Sequence, residues 1–174
     1  MTRSEMREHV FKLIFRVPFH DKNELREQID YYFDGLTDVN EKDYEYIKNK
    51  ALLVCELSDD IDEKINLVSE GWPVDRIGKA ELAIMRLAVY EMLYDDTIPE
   101  KVSVNEAVEL AKKFGGNESP AFVNGVLAKF IPKEGAKEEA EPAKEEIEAK
   151  EEIKAKEETE EAKETVKEAK KEQE

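Results

Sequence analysis

An all-α domain followed by a charged, low-complexity tail is the fold class this sequence predicts. Three observations point to it. Apolar residues recur at the 3.6-residue spacing of helices that bury one face, and clean strand alternation is absent. Most prolines and glycines fall where these periodic runs stop. The composition also divides: residues 1–133 hold nearly all the Leu, Ile, Val, Phe, Tyr and Met, whereas residues 134–174 hold no aromatic residue and mostly Glu, Lys and Ala.

Val10, Phe11, Leu13, Ile14 and Val17 make the apolar face of a first helix, which Pro18 ends. A second runs from about Lys22 to Phe33, with Leu25, Ile29, Tyr32 and Phe33 inward, and Gly35 closes it. Asn40 is the expected N-cap of a third, carrying Tyr44, Ile47, Ala51, Leu52, Val54, Cys55 and Leu57. Ser58 or Asp59 starts a fourth with Ile61, Ile65 and Val68, and Gly71-Trp72-Pro73 breaks the pattern. From Arg76 to Tyr94 the chain is nearly apolar on every side, as befits a central buried helix. Pro99 marks the next loop. Ser103 and Glu106 have the spacing of a capping box opening a helix that runs to Phe114, where Gly115-Gly116 stop it. Ser119-Pro120 reads as an N-cap with proline at the first helical position. The last helix carries Phe122, Val123, Val126, Leu127 and Phe130, and Pro132 ends it. The expected architecture is thus about seven or eight helices in two small packed bundles over residues 1–132. Residues 133–174 form an acidic Glu/Lys/Ala-rich tail, expected to be disordered or transiently helical.

Net charge is -16, of which the tail over residues 134–174 contributes 17 Glu against nine Lys. An acidic chain is a poor general binder of nucleic acid, because affinity for phosphate needs clustered cations. Any RNA role must come from a local basic patch or a basic partner. The single cysteine, Cys55, excludes an intrachain disulfide and sits in an apolar helical pattern as a buried thiol. No apolar stretch approaches membrane-span length, and the N-terminal residues mix charge throughout, so a cytoplasmic location is the default expectation.

No catalytic or metal motif is apparent. His9 and His20 lie in no zinc-binding spacing, and Cys55 has no CxxC partner. Neither a phosphate-binding loop nor a dinucleotide fingerprint occurs. Acidic pairs such as Asp59-Asp60 and Asp95-Asp96 fall where solvated loops are expected, without the pocket that splits the pKa values of a catalytic pair. No catalytic residue, metal or cofactor is therefore expected. Arg86, inside the most apolar helix, needs an acceptor: a structural ion pair is the simpler reading and ligand contact the alternative. On the first helix Arg3, Arg7, Lys12 and Arg16 recur every four or five residues, diluted by Glu5 and Glu8. This is the best candidate for an RNA surface, although a solvated amphipathic helix would look the same. Asn124-Gly125 reads as structural, the glycine permitting close helix approach.

Several runs carry a resemblance: Ala83-Ile84-Met85-Arg86-Leu87-Ala88-Val89-Tyr90-Glu91, then Ile98-Pro99 and Lys101-Val102, then Val104 through Gly115, and finally Phe122-Val123-Asn124-Gly125-Val126-Leu127. Together with Arg7-Glu8 and Val10 through Phe15, they resemble the NusB family over about residues 1–132, leaving out the tail. The resemblance implies two small helical bundles. It also implies a partnership with NusE, a small-subunit ribosomal protein. The pair would bind the boxA element of nascent single-stranded RNA and, with RNA polymerase and other Nus factors, promote read-through of terminators, notably in ribosomal RNA operons. Arg3 and Arg7 match the family's arginine-rich start, while Ser4 and Glu5 stand where further arginines often occur. Phe15 takes a position often held by tyrosine at the RNA and partner surface. Phe114, Glu118 and Phe122 match a second RNA-proximal patch, and Glu81 matches an acidic position used against NusE. Lys12 and Arg16 complete the expected RNA set. For Phe114 and Phe122 core packing remains the alternative. Two rival functions stand beside this one. An RNA cytosine methyltransferase with a NusB-like domain would need a Gly-rich cofactor loop and a catalytic cysteine region, neither of which is seen here. A homodimer hiding the RNA surface is the other.

Overall fold

In the computed structural model, the described residues are 1–16, 25–36 and 39–132. Expectations placed on Val17, Pro18, His20 and Lys22, on the side chain of Leu25, and on the tail from residue 133 fall outside them. Among the described residues seven α-helices follow one another: α1 (Arg3–Arg16), α2 (Leu25–Asp34), α3 (Glu41–Glu56), α4 (Ser58–Val68), α5 (Lys79–Leu93), α6 (Glu100–Phe114) and α7 (Ser119–Leu127). Short 3-10 turns at Val74–Arg76 and Ala128–Phe130 precede α5 and follow α7.

The apolar periodicity places the core. Val10, Phe11, Leu13 and Ile14 of α1 are buried, as are Ile47, Ala51, Val54 and Cys55 of α3. Helix α5 is buried nearly all round, from Leu82 to Glu91. It packs against α1, α3, α4, α6 and α7. The two bundles therefore share α5 and one continuous apolar core. No helix among the described residues is long and apolar enough to cross a membrane.

Helix ends follow local chemistry. Asn40 caps α3, its Oδ1 accepting the Asp43 N–H at 2.9 Å. Glycine at 71, with φ +77°, turns the chain after α4 where an L side chain would be strained. The capping box, however, is not at Ser103 and Glu106. Helix α6 begins earlier, at Glu100, with the Pro99 carbonyl accepting the N–H groups of Val102 and Ser103 at 2.9 and 3.2 Å. Ser103 is inside the helix, 1 % exposed, and Glu106 turns toward α1. The reciprocal pair instead forms at Thr2 and Glu5. The Thr2 N–H donates to Glu5 Oε2 at 2.7 Å, and the Glu5 N–H donates to Thr2 Oγ1 at 3.2 Å. Ser119 is likewise the first residue of α7 rather than its cap, and its Oγ accepts the Gly116 N–H at 2.8 Å. The close-approach reading of Gly125 also fails: both Asn124 and Gly125 are exposed, and a Cβ at 125 would meet nothing within 4 Å.

One group of charges lies inside the core. Arg7 of α1 is 6 % exposed, Lys50 of α3 5 % and Glu91 of α5 1 %. Both oxygens of Glu91 accept Arg7 Nε at 3.0 Å, and Oε1 also accepts Lys50 Nζ at 3.2 Å. Arg7 Nη1 reaches Glu106 of α6 at 3.1 Å, and Lys50 reaches Asp95 at 3.0 Å. Buried charges persist only when paired in this way. Arg86 resolves the same way: its Nε and Nη2 donate to the two oxygens of Asp62 at 2.7 and 2.5 Å. The structural reading of Arg86 is the one the fold bears out.

Candidate nucleic-acid interface

The last turns of α1 place Lys12, Phe15 and Arg16 along a groove of about 280 Å³, completed by Phe11, Tyr32, Ala80 and Phe114. Buried Phe11 organises it. Its ring centroid lies 6.0 Å from that of Phe15 and 4.8 Å from that of Phe114. Phe15 is 36 % exposed and Phe114 half-buried, so both rings combine packing with exposure to solvent. Cations surround the rings. Lys12 Nζ is 5.8 Å and Lys113 Nζ 5.4 Å from the Phe114 centroid, and the Arg16 guanidinium is 5.2 Å from that of Tyr32. The Tyr32 hydroxyl bonds His9 Nδ1 at 2.6 Å. Burial, aided by the Lys12 charge, pushes the His9 imidazole below its ordinary range, so it is neutral near pH 7.

A second groove, of about 270 Å³, is lined by Trp72, Arg76, Ile77, Gly78, Glu81, Glu118, Ser119 and Phe122. Trp72 is 56 % exposed and meets half-buried Phe122 edge-on, centroids 6.2 Å apart. Glu81 accepts a hydrogen bond from the Ser119 hydroxyl, which ties α5 to α7. The carboxylate of Glu81 stands where a Cβ at Gly78 would be, so a larger residue there would have to push that carboxylate aside. Exposed Glu118 lies at the rim. The two grooves adjoin where Ala80 and Glu81 stand side by side in α5.

The structure divides the expected arginine-lysine face. Lys12 lies about 140° around α1 from Arg7, and Arg16 about 180°. Arg7 is turned inward and bound to Glu91 and Glu106, so its guanidinium serves the core and is no longer counted among the phosphate contacts. Arg3 is exposed but lines a third groove with Met6, Lys42, Asp43, Tyr46, Thr97 and Ile98. Sequence reasoning missed Lys113, Trp72, Arg76 and Tyr32. Only Lys113 left a signal, as a cation beside Phe114. Trp72 read as part of a helix break, and nothing in the sequence tells that its ring would stand exposed.

Aromatic faces flanked by cations suit unpaired bases and their phosphates, and a half-buried carboxylate suits a basic protein. The sequence pattern of the NusB family matches residues 4–132. The transcription antitermination protein NusB of Agathobacter rectalis is 55 % identical over 130 residues, covering 75 % of this chain and 99 % of that relative. Among solved structures, T. maritima NusB aligns with a TM-score of 0.65 at 31 % identity, covering 75 % of this chain and 90 % of its own. A crystal structure of antitermination factors NusB and NusE in complex with dsRNA aligns at 0.61 and 25 % identity, over 75 % and 97 %. The chain belongs to the NusB family, a family of non-enzymatic transcription antitermination factors.

Proposed function

We propose that this chain is a cytoplasmic antitermination factor that binds boxA-type single-stranded RNA together with NusE and promotes read-through by the RNA polymerase elongation complex, notably in ribosomal RNA operons. The observation that carries the reading is convergence. Residues from α1, α5, α6 and α7, far apart in sequence, line two adjoining grooves, with Lys12, Phe15, Arg16 and Phe114 in one and Glu81, Glu118 and Phe122 in the other. In this reading Phe15, Phe114 and Phe122 stack on bases, Lys12 and Arg16 meet phosphates, and Arg3 supplies an outlying phosphate contact. Base stacking on each aromatic contributes about 1–3 kcal/mol. Glu81 and Phe15 face NusE, and Glu118 borders the RNA. A basic ribosomal partner also supplies the charge that this acidic chain lacks. A related NusB crystallised with NusE and dsRNA supports the pairing of partners.

The test is fluorescence anisotropy of a labelled boxA-type RNA, titrated with this protein alone and with equimolar NusE, against a scrambled RNA. Tighter, sequence-dependent binding in the presence of NusE is expected. Absence of binding in both cases, with the protein folded, would overturn the proposal.

A further inference from the structure

We propose that Glu8 holds the place of an RNA phosphate between Lys12 and Lys113 in the free protein and yields it when RNA binds, so that Lys113 becomes an RNA contact. The proposal rests on the RNA-binding reading above and adds to it a residue and a built-in competitor.

The geometry is that of a bracketed anion. Glu8 Oε1 meets Lys12 Nζ at 2.8 Å, and Oε2 meets Lys113 Nζ at 2.6 Å. Each oxygen has its own ammonium, one from α1 and one from α6. The carboxylate lies deeper than its partners: side-chain exposure is 21 % for Glu8, 38 % for Lys12 and 59 % for Lys113. An anion arriving from solvent therefore meets the two ammonium groups before it meets Glu8. Both ammonium groups also stand over the Phe114 ring. A base stacked on that ring would bring a phosphate of its own strand within reach of them.

A phosphodiester resembles a carboxylate in carrying one negative charge over two accepting oxygens. The same pair of lysines can bracket either. Neighbouring acids are engaged elsewhere: Glu109 pairs with Lys112 at 2.7 Å, and Glu106 pairs with Arg7 and accepts the Ser4 hydroxyl. Burial works against ionisation of Glu8, but Lys113 and Lys12 together hold its carboxyl below the usual range. The competitor thus keeps its charge at neutral pH. Its displacement weakens RNA binding in two ways. The ion pairs with lysine are lost, and the freed carboxylate gathers a cation that offsets part of the counterion release from RNA.

The experiment measures anisotropy of a labelled boxA-type RNA and a labelled oligouridine across a salt series, with the unaltered protein, Glu8→Gln, Lys113→Gln and the double variant, each with and without NusE. Glu8→Gln should tighten both RNAs about three- to fivefold at low salt, the scale of an exposed ion pair, and steepen the salt dependence. Lys113→Gln should weaken binding and flatten the log–log slope by about 0.7. Its effect should be larger in the Glu8→Gln background. If the unaltered protein binds RNA while Glu8→Gln changes neither affinity nor slope, this proposal falls and the antitermination reading stands. If the unaltered protein binds no RNA even with NusE, both fall. Thermal unfolding checks each variant. Should Glu8→Gln fail to fold, an unchanged slope for Lys113→Gln alone overturns the proposal.

Discussion

Replacing Glu91 by glutamine should destabilise this domain more than almost any other isosteric change. The substitution keeps the side-chain volume and removes one charge. Glu91 is 1 % exposed and neutralises two buried cations, Arg7 at 3.0 Å and Lys50 at 3.2 Å. Breaking a buried pair by removing one partner costs about 3–5 kcal/mol, because the orphaned charge cannot return to water. The orphans here keep one carboxylate each, Glu106 for Arg7 at 3.1 Å and Asp95 for Lys50 at 3.0 Å. These are more exposed than Glu91, at 27 % and 16 %, and so compensate only in part. The expected loss is near the lower end, about 3 kcal/mol, or roughly 10 °C in Tm.

Urea unfolding followed by far-UV circular dichroism measures it, with the midpoint read at constant m. The triple variant Arg7→Met, Lys50→Met, Glu91→Leu is the control. It removes all three charges and should recover most of the loss, since well-packed apolar residues commonly replace a buried ion group at little cost. A Glu91→Gln loss below about 1 kcal/mol would refute the reasoning, for the two cations would then have found water or other partners.

Three further outcomes follow from the same geometry. Stability should fall at both pH extremes. Partial burial opposes ionisation of Asp95, yet the Thr97 hydroxyl and Lys50 hold its carboxyl below its ordinary 3.8, so its contribution is full above that value and lost as pH falls through the lower folded value. Lys50 is opposed by burial but raised above its ordinary 10.5, chiefly by Glu91, so its contribution is full below 10.5 and lost as pH rises through the folded value; a flat urea midpoint at both extremes would contradict this. Arg7→Ala should lower stability by about 3 kcal/mol. Arg3→Ala should leave the urea midpoint in place and flatten the RNA salt slope by about 0.7, so equal effects of the two on that midpoint would remove the distinction. Gly125→Ala should raise the thermal midpoint, gaining about 0.5–1 kcal/mol, because a Cβ there meets open space within a helix; a fall would show that the site is not open.

The helices and their inner faces could be read from sequence because apolar periodicity is local information. Val10, Phe11, Leu13 and Ile14 announce one side of α1, and the run from Leu82 to Val89 announces a helix buried all round. The capping box shows where that locality ends. The chain offers the same spacing more than once, at Thr2–Glu5 and Ser103–Glu106 among others, and what precedes each of these two decides between them. Pro99 starts α6 a turn early and strands Ser103 inside it. The partner of Arg7 was illegible for a different reason. Glu91 lies 84 positions away, and a cation in a helical repeat looks the same whether it turns to water or to the core. The grooves were half-legible. Family resemblance supplied Phe15, Phe114, Glu81, Glu118 and Phe122, but the ion pair of Lys113 joins it to Glu8, 105 positions away.

The inward arginine also explains how an acidic chain can present a cationic groove. At 100° per residue, fixing Arg7 toward α5 sends Arg16 to the opposite side of α1 and leaves Lys12 about 140° and Phe15 about 80° from it. Arg16 and Phe15 are indeed exposed and Lys12 half-exposed, on the side where Phe114 arrives from α6. The rotation of α1 is therefore set by a salt bridge and by apolar packing together. Val10, Phe11, Leu13 and Ile14 span an arc of about 160° on the buried side of α1, and within that arc Arg7 Nε donates to both oxygens of Glu91. In the proposed RNA complex Arg7 would thus act through position, directing Lys12 and Arg16 to phosphate without meeting phosphate itself.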